Sequence, residues 1–217
     1  MNKWIALEGE FKKEKELIKF IGGDEPYKDV QTNETKNGSK YGILLFDEWF
    51  FNGAIEMTLE FDELNENDEA EIIYNYLGEN DFSCVGITNS LFKYECKNFN
   101  GMWNFNKAIG RTTLEKQKKY TLKAEIIGSI LTLFVNNVKV FSTYLLQPQN
   151  RTQIGIWVRS KSSITIYDYK VSYKKPKAFV VMQFGNCYDY LSQDFIKNVC
   201  EKNVYIVYRA DEGLGTG

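Results

Sequence analysis

The residue types able to do chemistry in this chain are set first by an absence. None of the 217 residues is histidine. That excludes Ser-His-Asp and Cys-His nucleophile systems, histidine general bases and nearly all zinc-enzyme sites. Carboxylates remain. Two of them hydrolyse a glycosidic bond when they sit ~5–10 Å apart, and Glu56 and Glu60 fall on one face of a strand. However, Glu56, Thr58 and Glu60 alternating with apolar residues is also how a solvated strand face reads. The acidic stretch Asp62-Glu63-Leu64-Asn65-Glu66-Asn67-Asp68-Glu69 offers the oxygen ligands that Ca²⁺ takes. It lacks the spacing and the glycine of an EF-hand, and reads as a solvated loop between strands. Trp49, Phe50, Tyr74, Tyr76, Trp103 and Trp157 could stack on sugar rings, although most aromatics in a β-sandwich serve its core. Trp157 and Arg159 share a strand face, and Asn75 can lie on the same sheet. These three form the candidate ligand surface, with a stacking face on Trp157 and five fixed donors on Arg159 suited to an anionic or hydroxyl-rich ligand. Cys84, Cys96, Cys187 and Cys200 contain no C-x-x-C pair, so a thiolate metal site is not expected, nor any other cofactor. Cys84 and Cys96 can face each other across a hairpin, but free thiols are expected in a reducing cytosol. Gly213-Leu214-Gly215-Thr216-Gly217 lacks the Lys-Ser/Thr of a phosphate-binding loop and reads as a loop or flexible end.

Composition bounds what must position these residues. Hydrophobic residues make up 43%, charged residues 26% and aromatics 15%, with 3 prolines, which excludes a disordered or collagen-like chain. The net charge of −2 gives no basic excess for nucleic acid or an anionic membrane. Glu8 and Glu10 interrupt any apolar leader, and no run approaches ~18 apolar residues, so a soluble cytoplasmic chain without a membrane partner is expected.

Most of the chain reads as short strands. Ile55, Met57, Leu59 and Phe61 alternate with polar residues, as do Tyr120, Leu122, Ala124 and Ile126, the period-2 signature of a half-buried strand. Residues 130–135 and 138–142 flank Asn136-Asn137, a pair that tolerates the positive φ of a type I′ hairpin turn. That hairpin sets Leu133 opposite Val140 and Val135 opposite Val138. Further strands are expected at 41–46, 71–77, 83–88, 91–96, 153–159 and 164–173, with no amphipathic helix before about residue 185. Residues 1–174 are therefore one all-β sandwich or jelly roll. Lys174-Lys175-Pro176-Lys177 changes the pattern, and 175–177 reads as a linker. Residues 178–184 form a near-continuous apolar run, as in a strand covered on both faces. Leu191, Phe195, Ile196, Val199 and Cys200 mark one helix face, and 204–208 a second apolar strand. This is a βαβ opening that stops at Gly217, and about 40 residues do not complete a doubly wound domain. The segment is expected to belong to something longer, and to dock, self-associate or be labile.

Two resemblances follow from these segments. Tyr41-Gly42-Ile43-Leu44-Leu45-Phe46, Asn52-Gly53-Ala54-Ile55-Glu56-Met57, Ala70 to Tyr76, Ile127 to Val140, Ile154-Gly155-Ile156-Trp157 and Ile164 to Val171, in that order, resemble a concanavalin A-like (LamG-like) jelly roll. Bacterial 3-keto-disaccharide hydrolase domains are related to it. The resemblance implies a mainly β sandwich that carries lectins, glycosidases, sensors or interaction modules. The E-x-D-x-x-E type strand of its glucanases is absent. Phe179-Val180-Val181-Met182-Gln183-Phe184, with Tyr208-Arg209-Ala210-Asp211-Glu212 after one helix, resembles the start of a bacterial TIR-like or nucleoside 2-deoxyribosyltransferase-like domain. Gln183 stands where that family usually has proline. The resemblance implies a nucleotide-pocket rim at Gln183, Phe184 and Asp211, NAD hydrolysis in a complete domain, and a setting in bacterial anti-phage defence. The glutamate that cleaves the N-glycosidic bond would lie further downstream.

The expectation is thus a non-catalytic sensing or binding module for a carbohydrate or protein ligand, with no catalytic or metal residue of its own. A nucleotide would bind only to a complete TIR-like domain, and homo-oligomers remain open. The rival expectations are a glycoside hydrolase in the jelly roll and a pure oligomerisation domain.

Overall fold

The computed structural model describes residues 3–14, 17–29, 32–147, 151–174, 177–182, 186–202 and 205–209. Alternation of apolar and polar side chains sets its strands. In chain order they begin β1 (Trp4–Glu8), β2 (Phe11–Glu14), β3 (Leu17–Phe20), β4 (Asp24–Lys28), β5 (Thr35–Phe50) and β6 (Gly53–Phe61). They continue with β7 (Glu69–Gly78), β8 (Asp81–Thr88), β9 (Tyr94–Phe99), β10 (Trp103–Ile109), β11 (Lys119–Ile127) and β12 (Ile130–Val135). The sandwich ends with β13 (Val138–Tyr144), β14 (Thr152–Ser160) and β15 (Ile164–Tyr173).

These strands form two antiparallel sheets. One runs β1-β5-β14-β7-β8-β9-β10, with β4 also paired to β5, and the other runs β13-β12-β11-β6-β15-β3-β2. Hairpin neighbours such as β7-β8-β9-β10 and β11-β12-β13 alternate with pairings of strands distant in sequence, β5-β14-β7 in one sheet and β11-β6-β15-β3 in the other, so the chain crosses between the sheets of a sandwich rather than forming one meander. Leu44, Ile72, Val85, Ile154 and Ile156 of the first sheet share one apolar cluster with Ile55, Met57, Leu59, Leu122 and Leu133 of the second. Fully burying such side chains stabilises a fold by roughly 1.5–3 kcal/mol each, and this shared core fixes which face of the first sheet remains outward.

Asn136 and Asn137 take φ of 50° and 64°, the turn read from the sequence. Val135 pairs with Val138, but a bulge follows, and Leu133 pairs with Phe141 rather than Val140. The extra residue turns the larger Phe141 ring into the core. Expected strand 91–96 begins only at Tyr94, leaving Leu91 exposed. β1 to β4 and β10 were not foreseen. Cys84 and Cys96 are free thiols, and the ladder explains why they do not meet. Cys84 pairs with Lys97 and Cys96 with Val85, so the two thiols point to opposite faces of the sheet. The acidic stretch is only partly solvated, since Asp68 and Glu69 are buried. Asp68 accepts backbone N–H bonds from Asn65 at 2.7 Å and Lys161 at 3.3 Å, so it clamps the loop. No group of three or more acidic or cysteine side chains is placed to hold a metal ion among the described residues.

The chain divides into two compact units, Met1–Tyr173 and Lys174–Gly217. In the second, β16 (Lys177–Val180) pairs in parallel with β17 (Ile206–Arg209). Between them α1 (Asn186–Tyr190) and α2 (Lys197–Lys202) are joined by a wide π-helical turn, Leu191–Ile196. Arg209 reaches back to Asp189. β16 starts at Lys177, a residue the sequence reading gave to the linker. No helix among the described residues is long and apolar enough to cross a membrane.

Candidate ligand-binding cleft

Residues paired across an antiparallel ladder share a face, so the outward side chains of the first sheet fall into rows. One row runs Tyr41, Arg159, Glu69 and Thr88. The next runs Ile43, Trp157, Glu71, Gly86 and Glu95. A third runs Leu45, Gly155, Ile73, Cys84, Lys97 and Phe105, and a fourth Gln153, Tyr76, Phe82, Phe99 and Trp103. Gly86 has no substitute here, because a Cβ would lie 2.4 Å from the Ala70 carbonyl oxygen.

Aromatics from these rows build an outward apolar layer. Trp157 stacks on Tyr41 at 5.4 Å, meets Trp103 edge-on at 5.4 Å and touches Phe82 at 5.8 Å. Phe99 adds a ring 5.1 Å from Trp103. This layer lines an open cleft of about 1020 Å³, large enough for a small-molecule site. Amides (Asn37, Asn80) and carboxylates (Glu25, Glu79) join the aromatics along its walls.

Four charged residues lie in the same rows but outside the cleft lining. The Lys97 ammonium donates to Glu69 Oε2 at 2.8 Å and lies 3.4 Å from Glu71 Oε2 and 3.5 Å from Glu95 Oε2. The ammonium also sits 4.6 Å from the centre of the Trp103 ring, a cation–π contact. The Trp157 indole N–H donates to Glu69 Oε2 at 3.0 Å, and Arg159 holds the other oxygen of Glu69. The Cys84 thiol donates to Glu71 Oε2 at 2.9 Å, while Glu71 Oε1 has no hydrogen-bond partner. The network therefore orients both tryptophans of the cleft. Burial pushes the Glu71 carboxyl up to about 7 against the pull of Lys97, and burial likewise raises Glu95. For Glu69, burial is outweighed by Lys97 and Arg159, which hold it below its ordinary value.

Of the residues singled out in the sequence, Trp157 and Arg159 line the cleft together. Trp157 is only 7% exposed, so most of its face is spent on neighbouring rings. Arg159 is engaged by Glu69 and by the Asn67 carbonyl at 3.2 Å. Asn75 belongs to the same sheet but not to the lining. A bulge after Ile73 sets Asn75 opposite Ser83, on the face away from Phe82 and Cys84. Trp103 is in the cleft, Phe50 and Tyr74 are in the core, and Trp49 is exposed elsewhere. Glu56 and Glu60 are on the second sheet, where the Tyr167 hydroxyl donates to Glu60 at 3.0 Å. Gln183, Phe184 and Asp211 lie outside the described residues. Sequence reasoning missed Tyr41 as a wall residue, and it missed the buried charges. Their only signal was the i, i+2 repetition in Glu69-Ala70-Glu71 and Glu95-Cys96-Lys97.

No protein-family model and no curated protein sequence matches the chain. Solved structures do match its shape. The carbohydrate-binding module CBM66 from Bacillus subtilis superposes with a TM-score of 0.62 at 13% identity, over 78% of this chain and 94% of that one. Porphyranase B from Zobellia galactanivorans gives 0.51 at 9% identity, over 78% and 85%. A chain described with endo-acting O-glycanases of the human gut microbiota gives 0.53 at 10%, over 77% and 90%. The chain thus shares the mainly β, antiparallel sandwich of carbohydrate-binding and glycosidase jelly rolls.

Proposed function

We propose that residues 1–173 are a carbohydrate-binding module whose ligand lies in the cleft on the outer face of the first sheet. The observation that carries this reading is the pairing of an aromatic wall with carboxylate and amide acceptors in one cleft. Apolar sugar faces stack on rings, and sugar hydroxyls donate to carboxylates and amides. The fold is shared with CBM66, a carbohydrate-binding module by its name, which supports the same reading without supplying the ligand.

Binding is favoured over glycoside hydrolysis by the state of the carboxylates. Glu69, Glu71 and Glu95 are close enough together for acid–base work, and the environments of Glu69 and Glu71 push their acidities apart. But Glu71 is 0% exposed, all three are gathered on the Lys97 ammonium, and Glu69 is also held by Trp157 and Arg159. A substrate hydroxyl would compete with Lys97, Trp157 and Arg159 for the oxygens of Glu69.

Among the rings packed around Trp157, Tyr41 is the most exposed, at 39%, and is the natural stacking platform. In a titration against a saccharide that binds the intact protein, Tyr41→Ala weakens affinity by about 1 kcal/mol, near fivefold, with the melting temperature held. Unchanged affinity in a folded Tyr41→Ala protein refutes the assignment of the cleft.

The second unit carries a separate proposal. A parallel β16–β17 pair flanking a helix is the arrangement with which nucleotide-binding α/β domains open, which supports a TIR-like reading of residues 174–217.

A further inference from the structure

Resting on the binding reading above, we infer that the cleft selects saccharides by charge: it takes neutral and amine-bearing glycans and refuses uronic-acid and sulfated ones. Two cations line the cleft, Arg159 and Lys161. Both are already engaged. Arg159 is held by Glu69 and the Asn67 carbonyl, and Lys161 pairs with Asp24 at 2.9 Å. The same cleft is lined by the exposed carboxylates of Glu8, Glu25, Glu66 and Glu79. None of the described ion pairs joins these four carboxylates to a lysine or arginine. Their field reaches the cleft wall. Burial, then Glu8, Glu25 and Glu79, raise the Tyr41 phenol above its ordinary value.

The consequence follows from donor and acceptor types. A sugar hydroxyl donates to a carboxylate in a charge-assisted hydrogen bond. A protonated amine does so with Coulomb attraction added. A uronate or sulfate brings only acceptors and like charge, and the groups that would receive it are engaged by Glu69 and Asp24. Like charges set against each other in a binding site are strongly unfavourable, and exposed charges are screened by salt.

The test is an array of printed neutral, amine-bearing, uronic-acid and sulfated glycans probed with the purified chain, followed by titration of the best hits at low and high salt. Binding confined to neutral and amine-bearing glycans is expected, with acidic counterparts of the same backbone weaker by on the order of tenfold at low salt. The gap narrows at high salt. The charge reversals Glu25→Lys and Glu79→Lys, both at exposed positions, narrow it as well. Acidic glycans bound as tightly as their neutral counterparts overturn the inference and leave the binding reading standing. A salt-independent gap, or one unmoved by both reversals in folded protein, also overturns it. Binding to no glycan of any class overturns the binding reading, and this inference with it.

Discussion

Trp157 belongs both to the core and to the cleft, and substitutions separate those roles. It closes a cluster with Ile43, Leu45, Ile73, Phe82 and Cys84 on the outward face. Trp157→Ala is therefore expected to cost ~3–5 kcal/mol of stability, the range for removing a buried aromatic, read as a lowered denaturant midpoint. The sequence reading allowed either a ring that stacks on a ligand or a core ring. A second apolar layer outside the sheet was not among its options. Glu71 makes stability depend on pH. Its folded carboxyl is raised from 4.5 to about 7, so between those values the folded state binds more protons than the unfolded one. Stability then falls as pH rises through that window. Glu95, raised by burial, acts in the same direction. Glu69, which is lowered, contributes stability that is lost only as pH falls below the ordinary carboxylate range. Glu71→Gln keeps the shape and removes the titration, and denaturation at several pH values should show a flatter profile between about 4.5 and 7. An unchanged slope contradicts the assignment to Glu71. Little of this was legible in the sequence, where the i, i+2 repetition in Glu69-Ala70-Glu71 and Glu95-Cys96-Lys97 carries no sign of burial. Only the register of β7, β8 and β9 brings their charges onto one ammonium.

At the scale of elements, the legible strands are those with one apolar and one polar face. β6 and β11 fit that description, and both lie inside the second sheet with inward residues fully buried. β10 escaped because its bulky residues, Trp103 and Phe105, face outward rather than toward the core. It is also an edge strand of its sheet, where packing imposes less on the pattern. The hairpin bulge was equally invisible, since the choice of Phe141 over Val140 depends on the volume available in the core. The turn was readable because only a few residue types accept its backbone. Asn137 sits at φ 64°, so Asn137→Ala should cost about 1–2 kcal/mol and Asn137→Gly should be tolerated. Equal melting temperatures for the two variants would contradict that account. Asn136 is a poorer place for the test, because its Oδ1 also accepts the Thr121 N–H at 2.9 Å.

Across the whole molecule, both apolar clusters of the sandwich are made of residues no later than Val171. A chain ending at Tyr173 is expected to unfold cooperatively with nearly the same midpoint as the full chain and to keep its ligand. A large loss of stability would show that Lys174–Gly217 supports the sandwich. The sandwich class was legible in the strand pattern, whereas the cleft was not. Its walls come from β1, β4, β5, β8, β9, β10 and β14 and the loops around residues 65–67 and 79–80, which only the tertiary register assembles. The central claim is that a saccharide lies against this wall. The four tryptophans report on it directly, because Trp103 and Trp157 line the cleft while Trp4 and Trp49 do not. Indole N–H resonances followed by ¹⁵N NMR during titration with a saccharide hit should move for Trp103 and Trp157 and stay fixed for Trp4 and Trp49. Binding that shifts Trp4 or Trp49 and leaves Trp103 and Trp157 in place would contradict the account.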